Sequence, residues 1–205
     1  MSVRQTKKME RRQAMLDAAE KIIANVGYTK ATMEAIAVRA GIGVATVYTY
    51  FGSKAGLIEA LIRPDMDLAL EEAAKIIANP PGNAADAMVQ LIDKYRLLRN
   101  DWSNRRLLRA MSILGDDSEP ALAALVNEAD TSVQRQIRDL LLVLKGRGDI
   151  ARGLDLEDAT SVLFCVFNQH YATFITHEEI TAERMFADLA RRIALVMQGY
   201  QSIVK

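Results

Sequence analysis

The sequence predicts an all-α protein of nine helices. Apolar residues recur at spacings of three and four along the 205-residue chain, which is the pattern of a helix with one buried face. Neither a hairpin dipeptide such as Asn-Gly nor a convincing alternation of apolar and polar residues is present, so no strand is expected. Hydrophobic residues make up 50% and charged residues 25% of the chain, a composition typical of globular proteins and not of disordered chains.

Two helices are predicted before residue 41. The first carries an apolar stripe and ends at Gly27, a residue suited to a helix C-cap. The stripe consists of Met15, Ala18, Ala19, Ile22, Ile23 and Val26. Thr32 can cap a short second helix over residues 33–40, because its hydroxyl can accept a hydrogen bond from a free amide of the first turn. Gly41 then ends that helix.

A third short helix is predicted from about Val44 to Tyr50, and Ser53 caps a fourth that runs from Lys54 towards Asn79. Pro64 lies inside this fourth helix. Because proline removes an amide donor and clashes with the preceding turn, we expect a kink or a break there, which makes Pro64 a candidate hinge.

The second half of the chain begins after the stop signal Pro80-Pro81-Gly82. Asp155 is the predicted cap of the next-to-last helix, and Pro120 fits a first helical turn. The five remaining helices are predicted at about 83–99, 104–114, 119–145, 156–175 and 181–201.

The formal net charge of zero conceals an uneven distribution. Residues 1–63 contain ten Lys or Arg and five Asp or Glu, whereas residues 64–205 contain sixteen and twenty-one. We therefore expect two domains: a basic one at 1–63, with an N-terminal tail at 1–10, and an acidic one at 64–205. Only the first is expected to meet an anionic polymer such as nucleic acid.

Sequence signals of several other functions are missing. We find no catalytic triad, paired carboxylates with clear roles, phosphate loop or zinc-ligand spacing, so we expect neither an enzyme nor a metal or cofactor. Because no 18-residue apolar run is present and no apolar signal core follows the basic N-terminus, we expect a cytoplasmic protein without a membrane partner. Cys165, the single cysteine, lies in an apolar run and is interpreted as a buried core thiol.

The segment from Thr32 to Lys54 carries the most informative pattern. Two short helices joined by a three-residue turn that contains glycine form a helix-turn-helix. Four apolar side chains are placed to bury against the first helix: Ile36, Ile42, Val47 and Phe51. The outward set is then Val44, Ala45, Thr46, Tyr48, Thr49 and Tyr50. Hydroxyls and small apolar groups on an outer helix face suit the major groove of DNA.

The segment from about Arg11 to Leu61 resembles the DNA-binding domain of the TetR (tetracycline repressor) family. The resemblance is carried by Thr32-Met33-Glu34-Ala35-Ile36-Ala37, Ala40-Gly41-Ile42, Thr46-Val47-Tyr48, Tyr50-Phe51 and Ser53-Lys54-Ala55-Gly56-Leu57-Ile58. It implies nine helices, a homodimer through the last two helices, a C-terminal ligand cavity, and repression of an operator that a small molecule relieves.

Three positions depart from the family's pattern. Gly43 precedes the recognition helix where the family often has a serine, so the side-chain cap is lost there. Ala55 and Gly56 stand where the family often carries acids. The first turn of the fourth helix is therefore less acidic, which favours a phosphate near its amide end.

The resemblance assigns DNA contacts to individual positions. Tyr48 and Tyr50 match aromatic positions whose hydroxyls hold phosphates, although one of them can instead pack inward. Thr46 matches a position that reaches bases or phosphate. Lys54 is expected to add an ammonium group to the phosphate contacts, and the Thr32 hydroxyl can touch phosphate while it caps its helix.

Three further residues, Val44, Ala45 and Thr49, are expected to face the groove. Since none is Arg, Asn or Gln, readout is predicted to depend on apolar contacts, water and DNA shape. The N-terminal basic residues have two possible roles, contact with the neighbouring DNA backbone or minor groove, or membership of a mobile solubilising tail. They are Arg4, Lys7, Lys8, Arg11 and Arg12.

Candidate effector residues lie in the C-terminal part. Asn168, His170 and Tyr171 belong to a polar cluster within an apolar helix, and buried polar groups need partners. They either meet a ligand or form hydrogen bonds in the core or at an interface. Tyr95 and Trp102 are candidate pocket walls, although plain packing also explains them. The effector itself is unidentified and is expected to be partly apolar.

These patterns favour a ligand-responsive transcriptional regulator, acting as a repressor on a pseudo-palindromic operator. The alternative is a DNA-binding protein of the same fold without an effector, with a constitutive or architectural role.

Overall fold

A computed structural model describes residues 2–95 and 120–201 of the chain, and all regular structure in these ranges is helical. The all-α prediction is therefore confirmed. The eight helices there are α1 (Val3–Lys30), α2 (Met33–Ala40), α3 (Val44–Phe51), α4 (Lys54–Ala78), α5 (Ala84–Lys94), α6 (Pro120–Arg147), α7 (Leu156–Thr176) and α8 (Ala182–Tyr200). The helix predicted at 104–114 lies outside the described residues.

The described chain divides into two compact units. The first comprises residues 2–64 and 120–126, and the second comprises residues 65–95 and 127–201. Helices α4 and α6 each contribute residues to both units.

In the first unit, α1 packs on α2 and α2 packs on α3. Met15, Ile23, Ile36 and Val47 are almost completely buried there. Val26 belongs to the predicted stripe but is 47% exposed, so its predicted burial is wrong. The reason is the interruption of α1 at Gly27, whose φ of 78° and ψ of 165° are not helical. The side chain that is buried here instead is that of Tyr28, just after the interruption, which is 3% exposed.

The bounds of α1 also correct the prediction of an N-terminal tail at 1–10. The helix begins at Val3, and Ser2 caps it. The Ser2 hydroxyl accepts a hydrogen bond from the amide of Gln5 at 3.3 Å, while the Gln5 side chain accepts one from the amide of Ser2 at 3.0 Å. This reciprocal capping box stabilises a helix start that apolar periodicity cannot reveal, because the first turns carry no buried face.

The predicted caps around the helix-turn-helix are confirmed. The Thr32 hydroxyl accepts a hydrogen bond from the amide of Ala35 at 3.1 Å, and the Ser53 hydroxyl accepts one from the amide of Gly56 at 3.1 Å. Gly41 ends α2 in the left-handed region with φ 67°. Gly43 precedes α3 without a side-chain cap, as expected from its missing hydroxyl.

Helix α4 continues through Pro64 from Lys54 to Ala78, so of the predicted kink or break the break is wrong. Proline removes one amide donor, but packing on either side holds the helical turns in place. Leu57 and Ile58 are fully buried before the proline, and Ala73 is fully buried after it.

In the second unit, α8 packs on both α5 and α7 around a large apolar core. Arg147, at the end of α6, donates hydrogen bonds to the carbonyls of Pro80 at 2.9 Å and Gly82 at 3.3 Å, which ties the loop before α5 to α6. Helix α5 is described from Ala84 to Lys94, and its predicted extension to about residue 99 runs outside the described residues. Asp155 caps α7 as predicted, and the amides of Asp158 and Glu157 that it binds lower the pKa of its carboxyl.

The departure at Gly56 has a steric cause. A Cβ atom on Gly56 would lie 2.2 Å from the carbonyl oxygen of Phe51, a backbone atom at the end of α3. Glycine is therefore required for the first turn of α4 to approach the end of α3 this closely.

We predict that Gly56→Ala destabilises the protein by about 1–3 kcal/mol, because the overlap forces α4 away from α3. Gly146→Ala is the matched control, since a Cβ there meets nothing within 4 Å and alanine is the better helix former. Thermal unfolding of both variants checks this. A Gly56→Ala midpoint equal to or above that of the wild type would contradict the close approach.

Candidate functional site

The outer face of α3 is accessible, as the helix-turn-helix pattern predicts. Ala45 and Thr49 are exposed, and the Tyr48 residue is 45% exposed. Val44, Thr46 and Tyr50 are half-buried, whereas Val47 is completely buried on the opposite face. One side of this two-turn helix thus anchors it to the core, and the other presents methyl and hydroxyl groups to solvent.

The hydroxyls of Thr49 and Thr32 differ in whether their proton is already used in a hydrogen bond within the chain. Thr49 donates its hydroxyl proton to the carbonyl of Ala45 at 2.8 Å, so towards DNA it presents lone pairs and a methyl group. Thr32 accepts from the amide of Ala35, so its hydroxyl proton stays available for a phosphate oxygen. Capping and phosphate contact by Thr32 are therefore compatible.

Lys54 is engaged inside the first unit. Its Nζ lies 4.0 Å from the centroid of the Tyr28 ring and donates to the carbonyl of Thr29 at 3.4 Å. Sequence reasoning missed Tyr28, because its burial depends on the interruption of α1 one residue earlier. The ammonium group of Lys54 that is expected to contact phosphate therefore also links the end of α1 to the start of α4.

The basic residues near the N-terminus lie on α1. Arg12 places its guanidinium 5.7 Å from the centroid of the Phe51 ring, at the end of α3. Tyr50 lies beside the same ring, with centroids 6.2 Å apart. The C-terminal end of α3 is therefore bordered by a cation and by two aromatic rings.

A small cavity lies within the second unit. Its volume is about 20 Å³, which is room for roughly one water molecule. The described residues that line it are Ile92, Tyr95, Phe167, Tyr171, Phe174, Ala182, Met185, Phe186 and Leu189. Tyr95 and Tyr171, two of the sequence candidates, are brought together there. Asn168 and His170 do not line it, and Trp102 lies outside the described residues.

The cavity wall is aromatic with two hydroxyl groups. The Phe167 ring lies edge-on to Tyr95 at 5.9 Å and stacks on Tyr171 at 6.1 Å. Burial raises the pKa of both tyrosines, and the negative charges of Asp139 near Tyr95 and Asp130 near Tyr171 add to this effect. Both hydroxyls therefore remain protonated hydrogen-bond donors at neutral pH.

The Tyr95 hydroxyl connects the cavity to α4 through Gln136 of α6. It donates to the Oε1 atom of Gln136 at 2.8 Å, and the Nε2 atom of Gln136 donates to the carbonyl of Leu70 at 2.8 Å. Sequence reasoning did not single out Gln136, because a glutamine between apolar helix positions has no pattern of its own.

His170 has structural partners. Its Nδ1 lies 2.6 Å from the carbonyl of Val166, which accepts only, so Nδ1 carries the proton. The Nε2 atom then accepts a hydrogen bond from the guanidinium of Arg192 on α8. This link between α7 and α8 favours the core-hydrogen-bond interpretation of His170 over the effector interpretation.

Cys165 is exposed, so its predicted burial is wrong. The apolar residues next to Cys165 point to all sides of α7, but in the single chain only the side that carries Leu163 is covered. Val162 is 46% exposed on the uncovered side, where Asn168 also lies exposed. On α8, Leu195 is 68% exposed.

Two features are absent from residues 2–95 and 120–201. In these ranges no three His, Cys, Asp or Glu side chains are grouped as metal ligands. None of the helices described there is both long and apolar enough to cross a membrane.

Comparison with known proteins identifies the family. Residues 15–61 match the family described as "Bacterial regulatory proteins, tetR family". The chain is 35% identical over 187 residues to the HTH-type transcriptional repressor KstR of Rhodococcus jostii, which covers 89% of this chain and 86% of the relative. It is 23% identical over 165 residues to the fatty acid metabolism regulator protein of Bacillus subtilis, covering 80% and 84%.

Solved structures share the fold. The transcriptional regulator FadR of Bacillus subtilis in complex with stearoyl-CoA superposes with a TM-score of 0.70 at 23% identity, over 90% of this chain and 96% of that one. The SmeT–triclosan complex gives a TM-score of 0.76 at 19% identity, over 95% and 93%. This chain therefore belongs to the tetR family of bacterial transcriptional regulators.

Proposed function

We propose that this protein is a ligand-responsive repressor that binds a pseudo-palindromic operator as a homodimer and leaves it when a partly apolar small molecule binds. The observation that carries the proposal is the apolar cavity whose wall residue Tyr95 is hydrogen-bonded through Gln136 to α4. That helix begins three residues after the recognition helix α3 ends.

The proposed operator contact is made by the outer face of α3. Its accessible methyl groups and hydroxyls can meet thymine methyls, base edges and phosphates. Two copies of α3 would enter successive major grooves about 34 Å apart on one side of the duplex. Because this face carries no Arg, Asn or Gln, DNA shape would provide much of the sequence preference.

The proposed dimer is supported by uncovered apolar surface on the last two helices. Val162 on α7 and Leu195 on α8 are both large, apolar and exposed in the single chain. A second copy related by a two-fold axis would cover the same residues on both chains. The exposed position of Cys165 also fits this interpretation, since an interface would bury it.

The proposed effector is apolar with at least one polar atom. The FadR and SmeT relatives bind stearoyl-CoA and triclosan, and both ligands have large apolar parts. The cavity described here accommodates little more than one water, so a ligand has to displace the aromatic side chains that line it. The Tyr171 hydroxyl, which remains protonated, is a suitable donor to the polar atom of such a ligand.

Displacement of the cavity wall would reach α4 through the hydrogen bonds of Tyr95. If the Tyr95 ring moves, the Gln136 side chain either loses the hydrogen bond from the Tyr95 hydroxyl or follows the ring. If it follows the ring, the carbonyl of Leu70 loses the hydrogen bond that Gln136 donates to it. Ligand and DNA would then favour different arrangements of α4, and each would weaken the binding of the other by the same factor.

We predict that Thr46→Ala weakens binding to an operator duplex about fivefold or more but changes binding to random duplex less than twofold, because Thr46 contributes to base contact and not only to phosphate contact. The operator duplex is obtained by in vitro selection with the full chain. Thr131→Ala, an exposed threonine of α6, is the control and should leave both affinities unchanged. Equal losses on both duplexes would contradict a role in base readout.

We predict that Gln136→Met reduces the coupling between ligand and DNA while the protein still binds both. The probes are stearoyl-CoA and triclosan, and coupling is the ratio of the probe Kd values with and without the selected duplex. Because Gln136→Met leaves the Tyr95 hydroxyl without an acceptor, at a cost of about 1–3 kcal/mol, the double variant with Tyr95→Phe serves as the stability control.

Unchanged coupling in Gln136→Met would refute the path through Gln136. If neither probe nor a wider set of apolar ligands alters operator binding by the wild-type chain, the alternative applies, a DNA-binding protein of this fold without an effector.

A further inference from the structure

The start of α1 is helical although nothing in the described chain covers it. Residues 2–14 are all exposed, and Met15 is the first buried residue of the helix. Arg4, Lys7, Lys8 and Arg11 recur at spacings of three and four, so they share one face, which we name the α1 stripe. With a rise of about 1.5 Å per residue, the stripe is about 10 Å long.

The α1 stripe ends one residue before Arg12, which contacts the end of α3. Arg12 follows Lys8 by one helical turn, and its guanidinium lies over the ring of Phe51, the last residue of α3. The stripe lies on the same face of α1 as the buried residues Met15 and Ala19 and extends beyond the packed core. A duplex held against α3 would therefore pass close to the stripe.

The charges of the stripe are unfavourable for an isolated helix. Like charges three and four residues apart repel each other, and cations near a helix N-terminus oppose the helix dipole. No acidic residue lies in the first turn of α1, and no salt bridge among the described residues involves Arg4, Lys7, Lys8 or Arg11. An anionic partner would remove both sources of repulsion at once.

We propose that the α1 stripe is a second DNA-contact site, which binds phosphates of the duplex flanking the base pairs read by α3, without sequence preference. This inference rests on the proposed function, since it takes α3 as the recognition helix. A membrane surface fits less well, because Val3 and Met9, the two large apolar residues of α1 before Met15, lie on different sides of the helix and form no apolar face.

The test compares two triple variants of the full chain with the same loss of charge. Lys7→Gln, Lys8→Gln and Arg11→Gln remove most of the stripe. The control replaces three exposed arginines of the second unit by glutamine, namely Arg135, Arg152 and Arg184. Each protein is titrated with the selected duplex of about 20 base pairs and with the same duplex extended by about one helical turn on each side, across a series of salt concentrations.

The wild type and the control should bind the extended duplex more tightly than the short one, whereas the stripe variant should not. The stripe variant should lose about tenfold or more in affinity for the extended duplex, and the slope of log K against log salt should fall by about two to three per protomer. The charge-retaining variant Lys7→Arg, Lys8→Arg and Arg11→Lys should keep both the affinity and the slope.

A stripe variant with the flank effect and salt slope of the control would overturn the inference and leave the segment as a solubilising helix. That result would leave the proposed function intact if Thr46→Ala still impairs operator binding. A wild-type chain that binds no duplex would overturn both. Circular dichroism of each variant verifies the helix content.

Discussion

The position of α3 in the first unit is constrained by the close approach of the start of α4 to the end of α3. The position of a Cβ on Gly56, 2.2 Å from the carbonyl oxygen of Phe51, leaves no space for any side chain at this point. The same helix start holds the end of α1, since the ammonium group of Lys54 lies on the Tyr28 ring. The orientation of α3 within the unit, and with it the outer face that α3 exposes, depends on these two contacts. The glycine at position 56, where the sequence departs from the acids that the resemblance implies, therefore has a steric reason.

In the second unit, the few buried polar atoms are informative because the surroundings are apolar. Buried polar groups are costly without partners, so each partner they have identifies a specific link between helices. The Tyr95 hydroxyl and Gln136 connect α5, α6 and α4, and His170 with Arg192 connects α7 and α8. The first link borders the cavity, because Tyr95 is one of its lining residues. The second lies away from the cavity lining and holds the last two helices together.

The exposed residues form two chemically different surfaces. The exposed face of α1 that carries Arg4, Lys7, Lys8 and Arg11 is basic, whereas the exposed side chains of Val162 and Leu195 on the last two helices are apolar. A chain with zero net charge can therefore carry both kinds of surface, because its charges are segregated along the sequence and not neutralised locally.

The sequence by itself determined the helical class, the helix-turn-helix and the caps at Thr32, Ser53 and Asp155, because each depends on side chains and amides a few residues apart. Only the tertiary structure decided that Val26 and Cys165 are exposed, that α4 continues through Pro64 and that Lys54 contacts Tyr28. Each of these depends on which distant segment covers a given helix face. A periodic pattern shows that a face is apolar but not what lies opposite it, so the polar link through Gln136 and the place of Tyr95 and Tyr171 in one cavity required coordinates.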